Sequence, residues 1–187
     1  MDHYIDIRLR PDPESPSHHL MSALYSRLHR ALVQLRCDDV GVSFPAMRRE
    51  PPTLGDRLRL HGGLHRLQEL QRLPWLGSVA DHVDVSELAA VPPGARHRRV
   101  QRVQAKSNVE RLRRRYMRRH GVDAATARER LPESVARTVD LPFVQVRSAS
   151  TGQTFRMFLS HGPIQPEQVP GAFNAYGLST TGTVPWF

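Results

Sequence analysis

The chain is 187 residues long, 39% hydrophobic, and carries a formal net charge of +9, which suits one ordinary domain or two small ones with a packed core and excludes a disordered chain. No apolar run is long enough to span a bilayer, and the acidic start Met1-Asp2-His3-Tyr4 leads straight into strand-like sequence, so neither a membrane anchor nor a signal peptide is expected. The single cysteine, Cys37, excludes an internal disulfide framework and a cysteine-based zinc site, and the expectation is a cytoplasmic protein.

Residues 3–10 alternate, with Ile5, Ile7 and Leu9 on one face and Tyr4, Asp6 and Arg8 on the other. That pattern predicts an amphipathic strand, broken by Pro11-Asp12-Pro13. From about residue 17 to 36, Met21, Leu24, Tyr25, Leu28, Leu32 and Leu35 fall at helical spacing. Residues 40–44 read as a short strand ended by Pro45, and 57–61 as another with Leu58 and Leu60 on one side. Gly62-Gly63 turns the chain into a second helix carrying Leu64, Leu67, Leu70 and Leu73, and residues 82–88 close the series as a strand. Strand, helix, strand, strand, helix, strand is the ferredoxin-like order, with two helices on one face of an antiparallel sheet. A turn-rich break at Val91-Pro92-Pro93-Gly94 predicts a ferredoxin-like domain over 1–94 and a second domain over 95–187.

In the second half, Ser107 and Glu110 have the spacing of a capping box and Gly121 suits a helix end, predicting a helix over 107–120. Further helices are expected near 123–130 and 133–139. Strands follow at 143–147 and 155–159, joined around Thr151-Gly152, then at 173–178 and 183–187, joined by Thr180-Thr181-Gly182. Segment 165–172 carries no pattern. The fold class is α+β: a ferredoxin-like domain plus a divergent α+β C-terminal domain carrying an arginine-rich helix.

Residues 96–119 hold eleven basic side chains against one acid, Glu110, so this stretch is net +10 and the other 163 residues sum to −1. A near-neutral scaffold with one concentrated cationic device points to a polyanionic partner. All the basic residues except Lys106 are arginine, whose planar fork grips phosphates and guanine edges at two points. At about 100° per residue, Arg111, Arg114, Arg115, Arg118 and Arg119 fall within an arc of roughly 140°, while Val109, Leu112 and Tyr116 form a separate seam. An ordinary solvated helix interleaves acids that pair with its cations; this one does not, which makes sense if phosphates supply the missing charge. No helix-turn-helix, zinc finger or zipper is present, and arginine-rich segments are an RNA-binding device. A regular A-form major groove is too narrow to admit side chains, so the target narrows to a stem-loop whose groove opens near its loop or end.

The run Arg102-Val103-Gln104-Ala105-Lys106-Ser107-Asn108, followed by Glu110-Arg111-Leu112-Arg113-Arg114-Arg115 and Met117-Arg118-Arg119-His120, closely resembles the CRISPR repeat-processing endoribonucleases of the type I-F (Csy) system. The resemblance extends over nearly the whole chain, including His3-Tyr4-Ile5-Asp6-Ile7-Arg8, Gly41-Val42-Ser43-Phe44-Pro45, residues 148–155 and Val184-Pro185-Trp186-Phe187. It implies a protein that binds the hairpin of each CRISPR repeat and cuts precursor crRNA at the 3′ base of the stem. It also implies that the protein stays on the product as a subunit of a surveillance complex with other Cas proteins. Residue by residue, it implies that Arg114, Arg115, Arg118 and Arg119 enter the hairpin groove, with Lys106 and Arg111 on the same RNA-binding run. Arg102 and Gln104 would read base edges, as arginine pairs with guanine and glutamine with adenine. Phe155 would stack on the terminal base pair, and Ser150 would contact phosphate.

Catalysis maps by the same resemblance to His29, with Ser148 and Tyr176 beside it. RNA carries its own nucleophile, the 2′-hydroxyl, so cutting needs a base rather than a metal or cofactor, and histidine titrates near neutrality. Ser148 would hold the 2′-hydroxyl in line, and Tyr176 would orient His29 or the substrate. His18, His19 and His161 show no metal-ligand spacing, while His97 and His120 lie in the basic stretch. The competing readings are an RNA-hairpin-binding subunit without catalysis and a DNA-binding regulator. The protein alone is expected to be monomeric.

Overall fold

A computed structural model describes residues 1–104, 109–132, 140–147 and 152–187. The chain forms two compact units, one of Met1–Arg102 with Leu141–Phe187 and the other of Val103–Asp140.

The first unit begins with β1 (His3–Leu9), α1 (Ser17–Leu35), β2 (Gly41–Ser43), β3 (Arg57–Gly62), α2 (Leu64–Arg72) and β4 (Val83–Val85). The strands lie in the order β2-β3-β1-β4 and neighbours run antiparallel, which is the ferredoxin-like arrangement. Register explains which face is apolar. Ile5 stands opposite Leu60 and Ile7 opposite Leu58, and these four are buried with Leu24, Leu28 and Leu32 of α1 and Leu67 and Leu70 of α2. Each such side chain contributes about 1.5–3 kcal/mol by leaving water.

The strand expected over 82–88 is split. A 3-10 turn, Gly77–His82, leads into β4, and a separate strand β5 (Ala89–Ala90) pairs with the start of β1. Ile7 faces Val85 but His3 faces Ala90, so this side has one residue more than β1 between the two pairs. Ser86 fills the irregularity: its N–H donates to the Asp6 carbonyl (2.8 Å) and its Oγ accepts from the Asp6 N–H (2.9 Å).

A second sheet contains β6 (Arg96–Val103), β7 (Phe143–Arg147), β8 (Thr154–Gln165) and β9 (Val184–Trp186), in the order β7-β8-β6-β9. The two sheets fall on either side of Gly94. Four arginines of the basic stretch, Arg96, Arg98, Arg99 and Arg102, stand on the strand β6 rather than on the helix. Arg98 is built into the fold: two of its nitrogens donate to the Gly162 carbonyl (2.7 and 3.2 Å), and its guanidinium lies over Trp186 (4.4 Å). On the outer face of the first sheet, Arg59 grips Asp6 at 2.7 and 2.9 Å and lies over the rings of Tyr4 and Phe187.

The strand expected over 173–178 is not a strand but a tight loop. The Gly177 N–H donates to the Asn174 carbonyl (2.8 Å), and the Asn174 side-chain oxygen accepts from the N–H groups of Tyr176 (2.9 Å) and Leu178 (3.3 Å). Gly177 has φ +69°, where a Cβ would also lie 2.6 Å from Val42 Cγ1. An asparagine that folds back on its own backbone and a left-handed glycine override the extended reading.

The second unit carries α3 (Val109–His120) and α4 (Ala124–Arg130). Gly121, at φ +64°, ends α3 with its N–H on the Met117 carbonyl (2.8 Å). Asp123 caps α4 by accepting from the Thr126 N–H (2.9 Å). The expected cap at Ser107 and the helix over 133–139 lie outside the described residues.

Buried histidines give the fold a pH limit. His61 is fully buried with Nε2 against Ser43 Oγ (2.8 Å), and His161 Nε2 accepts from the Phe44 N–H (3.4 Å). Burial, with the nearby Arg59 charge, holds His61 well below the usual histidine range; burial and Arg98 push His161 down to about 3. Above about pH 6.5 both groups are neutral whether folded or not, so they leave stability unchanged. Below it the unfolded chain takes up protons that the folded chain refuses, so stability falls as the pH drops. Thermal melts should therefore show a level Tm from pH 8 to 7 and a steep fall between pH 6 and 5. A level Tm down to pH 5 would contradict this.

Candidate active site

His29 sits on α1, one turn beyond the fully buried Tyr25, on the flank that meets the 174–178 loop. Its ring stacks on Tyr176 with centroids 3.8 Å apart and planes 6° from parallel. Its Nδ1 lies 2.8 Å from the Ala175 carbonyl. A carbonyl can only accept, so Nδ1 carries the proton, and in the neutral ring the basic lone pair belongs to Nε2. The imidazole is thus held by one edge and one face, with a defined tautomer. That is the arrangement a proton-abstracting base needs.

Tyr176 is half-buried; burial raises its phenol, and the positive charge of Arg102 opposes the rise. Arg102, exposed at the end of β6, also lies 5.4 Å from the centroid of Phe155 on β8. The first unit thereby brings together His29 with Tyr176, and Arg102 with Phe155. Ser148 and Ser150 lie outside the described residues, as does Lys106. Gln104 belongs to the second unit and is exposed.

In that second unit, Arg114, Arg115, Arg118 and Arg119 are exposed on α3 and line one cleft of about 460 Å³. None of the ion pairs among the described residues involves Arg115, Arg118 or Arg119. Arg113 points the other way: it is buried and its Nε donates to the Leu131 carbonyl (2.9 Å), tying α3 to the end of α4. Arg111 lies in α3, with its side chain outside what is described. Among the described residues no cluster of His, Cys, Asp or Glu is arranged to hold a metal ion.

Sequence reasoning expected Tyr176 beside His29 but missed the other groups that fix the ring. Tyr25 reads as an apolar-face residue, yet its hydroxyl donates to the Tyr176 carbonyl at 2.6 Å. A buried tyrosine needs a hydrogen-bond partner, which was the available signal. The Ala175 carbonyl had no signal, because any residue type could have supplied it.

The profile of the CRISPR-associated protein family Cas_Csy4 matches residues 4–187. The chain belongs to this family. Two curated relatives, both described as CRISPR-associated endonuclease Cas6/Csy4, align over 100% of this chain and 100% of their own length. The one from Pseudomonas aeruginosa (strain UCBPP-PA14) is 54% identical and the one from Escherichia coli (strain UTI89 / UPEC) 43%. A solved structure, CRISPR endoribonuclease Cse3 bound to a 19 nt RNA, aligns over 99% of this Cas_Csy4 chain and 100% of its own. At 13% identity and a TM-score of 0.37, that likeness is too slight to inform the site.

Proposed function

We propose that the chain is a crRNA-processing endoribonuclease that binds the stem-loop of CRISPR repeat RNA and cuts the precursor at the 3′ base of the stem. The observation that carries the reading is His29, clamped between the Ala175 carbonyl and the Tyr176 ring with Nε2 as its basic atom. In the proposed reaction Nε2 takes the proton of the 2′-hydroxyl next to the scissile phosphate. The resulting oxygen attacks phosphorus, and the 5′-oxygen of the following nucleotide leaves, collecting a proton. The upstream product then ends in a 2′,3′-cyclic phosphate and the downstream product in a 5′-hydroxyl. No step needs a metal. Tyr176 orients the base, and Ser148 holds the 2′-hydroxyl in line.

Arg114, Arg115, Arg118 and Arg119, with Arg111 and Lys106, grip the hairpin phosphates and groove. Arg102 and Gln104 read base edges at the foot of the stem. Phe155 stacks on the terminal pair and Ser150 holds a phosphate. The contact of Arg102 with Phe155, which keeps the proposed base-reading and stacking groups together, supports this division. After the cut the protein stays on the mature crRNA, in the cytoplasm, as a subunit of the type I-F surveillance complex with other Cas proteins; without RNA it is a monomer.

The test is a repeat hairpin incubated with the protein in excess EDTA. A single cut at the 3′ base of the stem is expected, and RNA left intact under those conditions would sink the metal-free reading. Retained hairpin binding without cutting would favour a non-catalytic RNA-binding subunit.

A further inference from the structure

α1 grips the 174–178 loop twice from one face. Tyr25 and His29 are four residues apart, so one helical turn separates them, and both bond to consecutive carbonyls of the loop. The Tyr25 hydroxyl donates to the Tyr176 carbonyl (2.6 Å) and His29 Nδ1 donates to the Ala175 carbonyl (2.8 Å). Tyr25 is itself immobilised: it is wholly buried, 5.9 Å from the Phe44 ring and 6.1 Å from the Tyr176 ring, which lies nearly parallel to it. The loop is braced from the other side by the Asn174 side chain on the Tyr176 and Leu178 N–H groups, and by the Val42 N–H on the Gly177 carbonyl (3.0 Å). The Tyr176 ring and the Ala175 carbonyl, the two groups that hold the imidazole, therefore stand where Tyr25 and Asn174 put the backbone.

We infer that Tyr25 is a positioning residue for the base, acting through the 175–176 backbone to fix the orientation and tautomer of His29. The inference rests on the assignment of His29 as base, yet half of its test does not. Tyr25 touches neither RNA nor the reacting atoms; its hydroxyl sets the carbonyl geometry that keeps the proton on Nδ1 and the lone pair on Nε2. Without it the 176–177 peptide is held only through the Gly177 N–H, the neighbouring Ala175 carbonyl is placed less firmly, and the two His29 tautomers become closer in energy.

The experiment compares the wild-type chain with Tyr25→Phe in two measurements. In the free protein, nitrogen-15 NMR of the His29 ring should report one dominant Nδ1–H tautomer in the wild type and a mixture in the variant. With a repeat hairpin, the single-turnover cutting rate should fall about tenfold, since a small misplacement of a reacting group costs at least that much, while hairpin Kd is unchanged. Asn174→Ala, which loosens the same loop from its other side, should reproduce both effects, and Asn174→Asp, which keeps the acceptor, should restore most of the rate. That pair decides the matter if Tyr25→Phe does not fold. An unchanged ring spectrum and unchanged rate in folded Tyr25→Phe and Asn174→Ala would overturn the inference, as would a loss of rate matched by an equal loss of affinity. Should the wild-type chain not cut RNA at all, the failure lies with the base assignment, and the ring spectra still decide whether Tyr25 sets the tautomer.

Discussion

His29→Ala is expected to cut a repeat hairpin about 100- to 10,000-fold more slowly in single-turnover assays, the range that a positioned general base supplies. Hairpin affinity should stay within about twofold, a change worth less than half a kcal/mol. The two effects separate because of where the side chain stands. His29 is held by contacts within the first unit, to the Ala175 carbonyl and the Tyr176 ring. The concentrated positive charge proposed to bind RNA is carried elsewhere, on α3 of the second unit and at Arg102. Truncation removes a ring that Leu28 and Leu32 do not depend on, since these are buried on the core side of α1. A loss of cutting with an equal loss of binding would instead mean that His29 holds RNA rather than reacting with it. Residual cutting near the wild-type rate would remove it from the chemistry altogether.

The double variant Arg115→Ala with Arg118→Ala should show the opposite pattern. Both side chains are exposed on α3 and line the same cleft with Arg114 and Arg119, and no ion pair among the described residues engages either. Their removal therefore leaves no carboxylate stranded and should cost the fold little. Each charged hydrogen bond to phosphate contributes about 1.5–3 kcal/mol, so losing two should weaken hairpin binding about 100- to 10,000-fold at low salt. The plot of log affinity against log salt should flatten by about one unit or less for each phosphate that is no longer neutralised. Cutting by the variant at saturating protein should be close to wild type. Arg113→Ala makes an informative contrast. That guanidinium is spent on the Leu131 carbonyl, so its loss should lower the Tm of the second unit more than it alters the salt slope.

These expectations depend on features that sequence reading reached unevenly. The ferredoxin-like half was readable because period-2 and period-3.6 apolar patterns alternate cleanly from Ile5 to Val85, and register then placed Ile5 against Leu60 as the burial requires. α3 was readable for the same reason, with Gly121 marking its end. Within the basic stretch, composition could not tell a solvated arginine from Arg98, which lies on Trp186 and donates into Gly162. The 173–178 segment misled for a different reason. Phe173, Ala175 and Leu178 look strand-like, but Asn174 and Gly177 carry the conformation, and a side chain bonding its own backbone outweighs weak strand preference.

The site divides along the same line. His29, Tyr176, Arg102 and Phe155 came from resemblance, since a lone histidine on the flank of an amphipathic helix has no signature of its own. What resemblance did not supply was the rest of the means of holding that histidine: a backbone carbonyl and a buried tyrosine behind the loop. Such contacts arise from residues 146 or more positions apart in the chain for both the His29 and Tyr25 bonds, and no local pattern encodes them.

The most direct measurement is the chemistry of the ends left when a repeat hairpin is cut in EDTA, read by mass spectrometry of both fragments. A 2′,3′-cyclic phosphate on the upstream fragment and a 5′-hydroxyl on the downstream one are expected from attack by the 2′-hydroxyl with His29 as base. A 3′-hydroxyl paired with a 5′-phosphate would mean that water, not the RNA, is the nucleophile, and would contradict it.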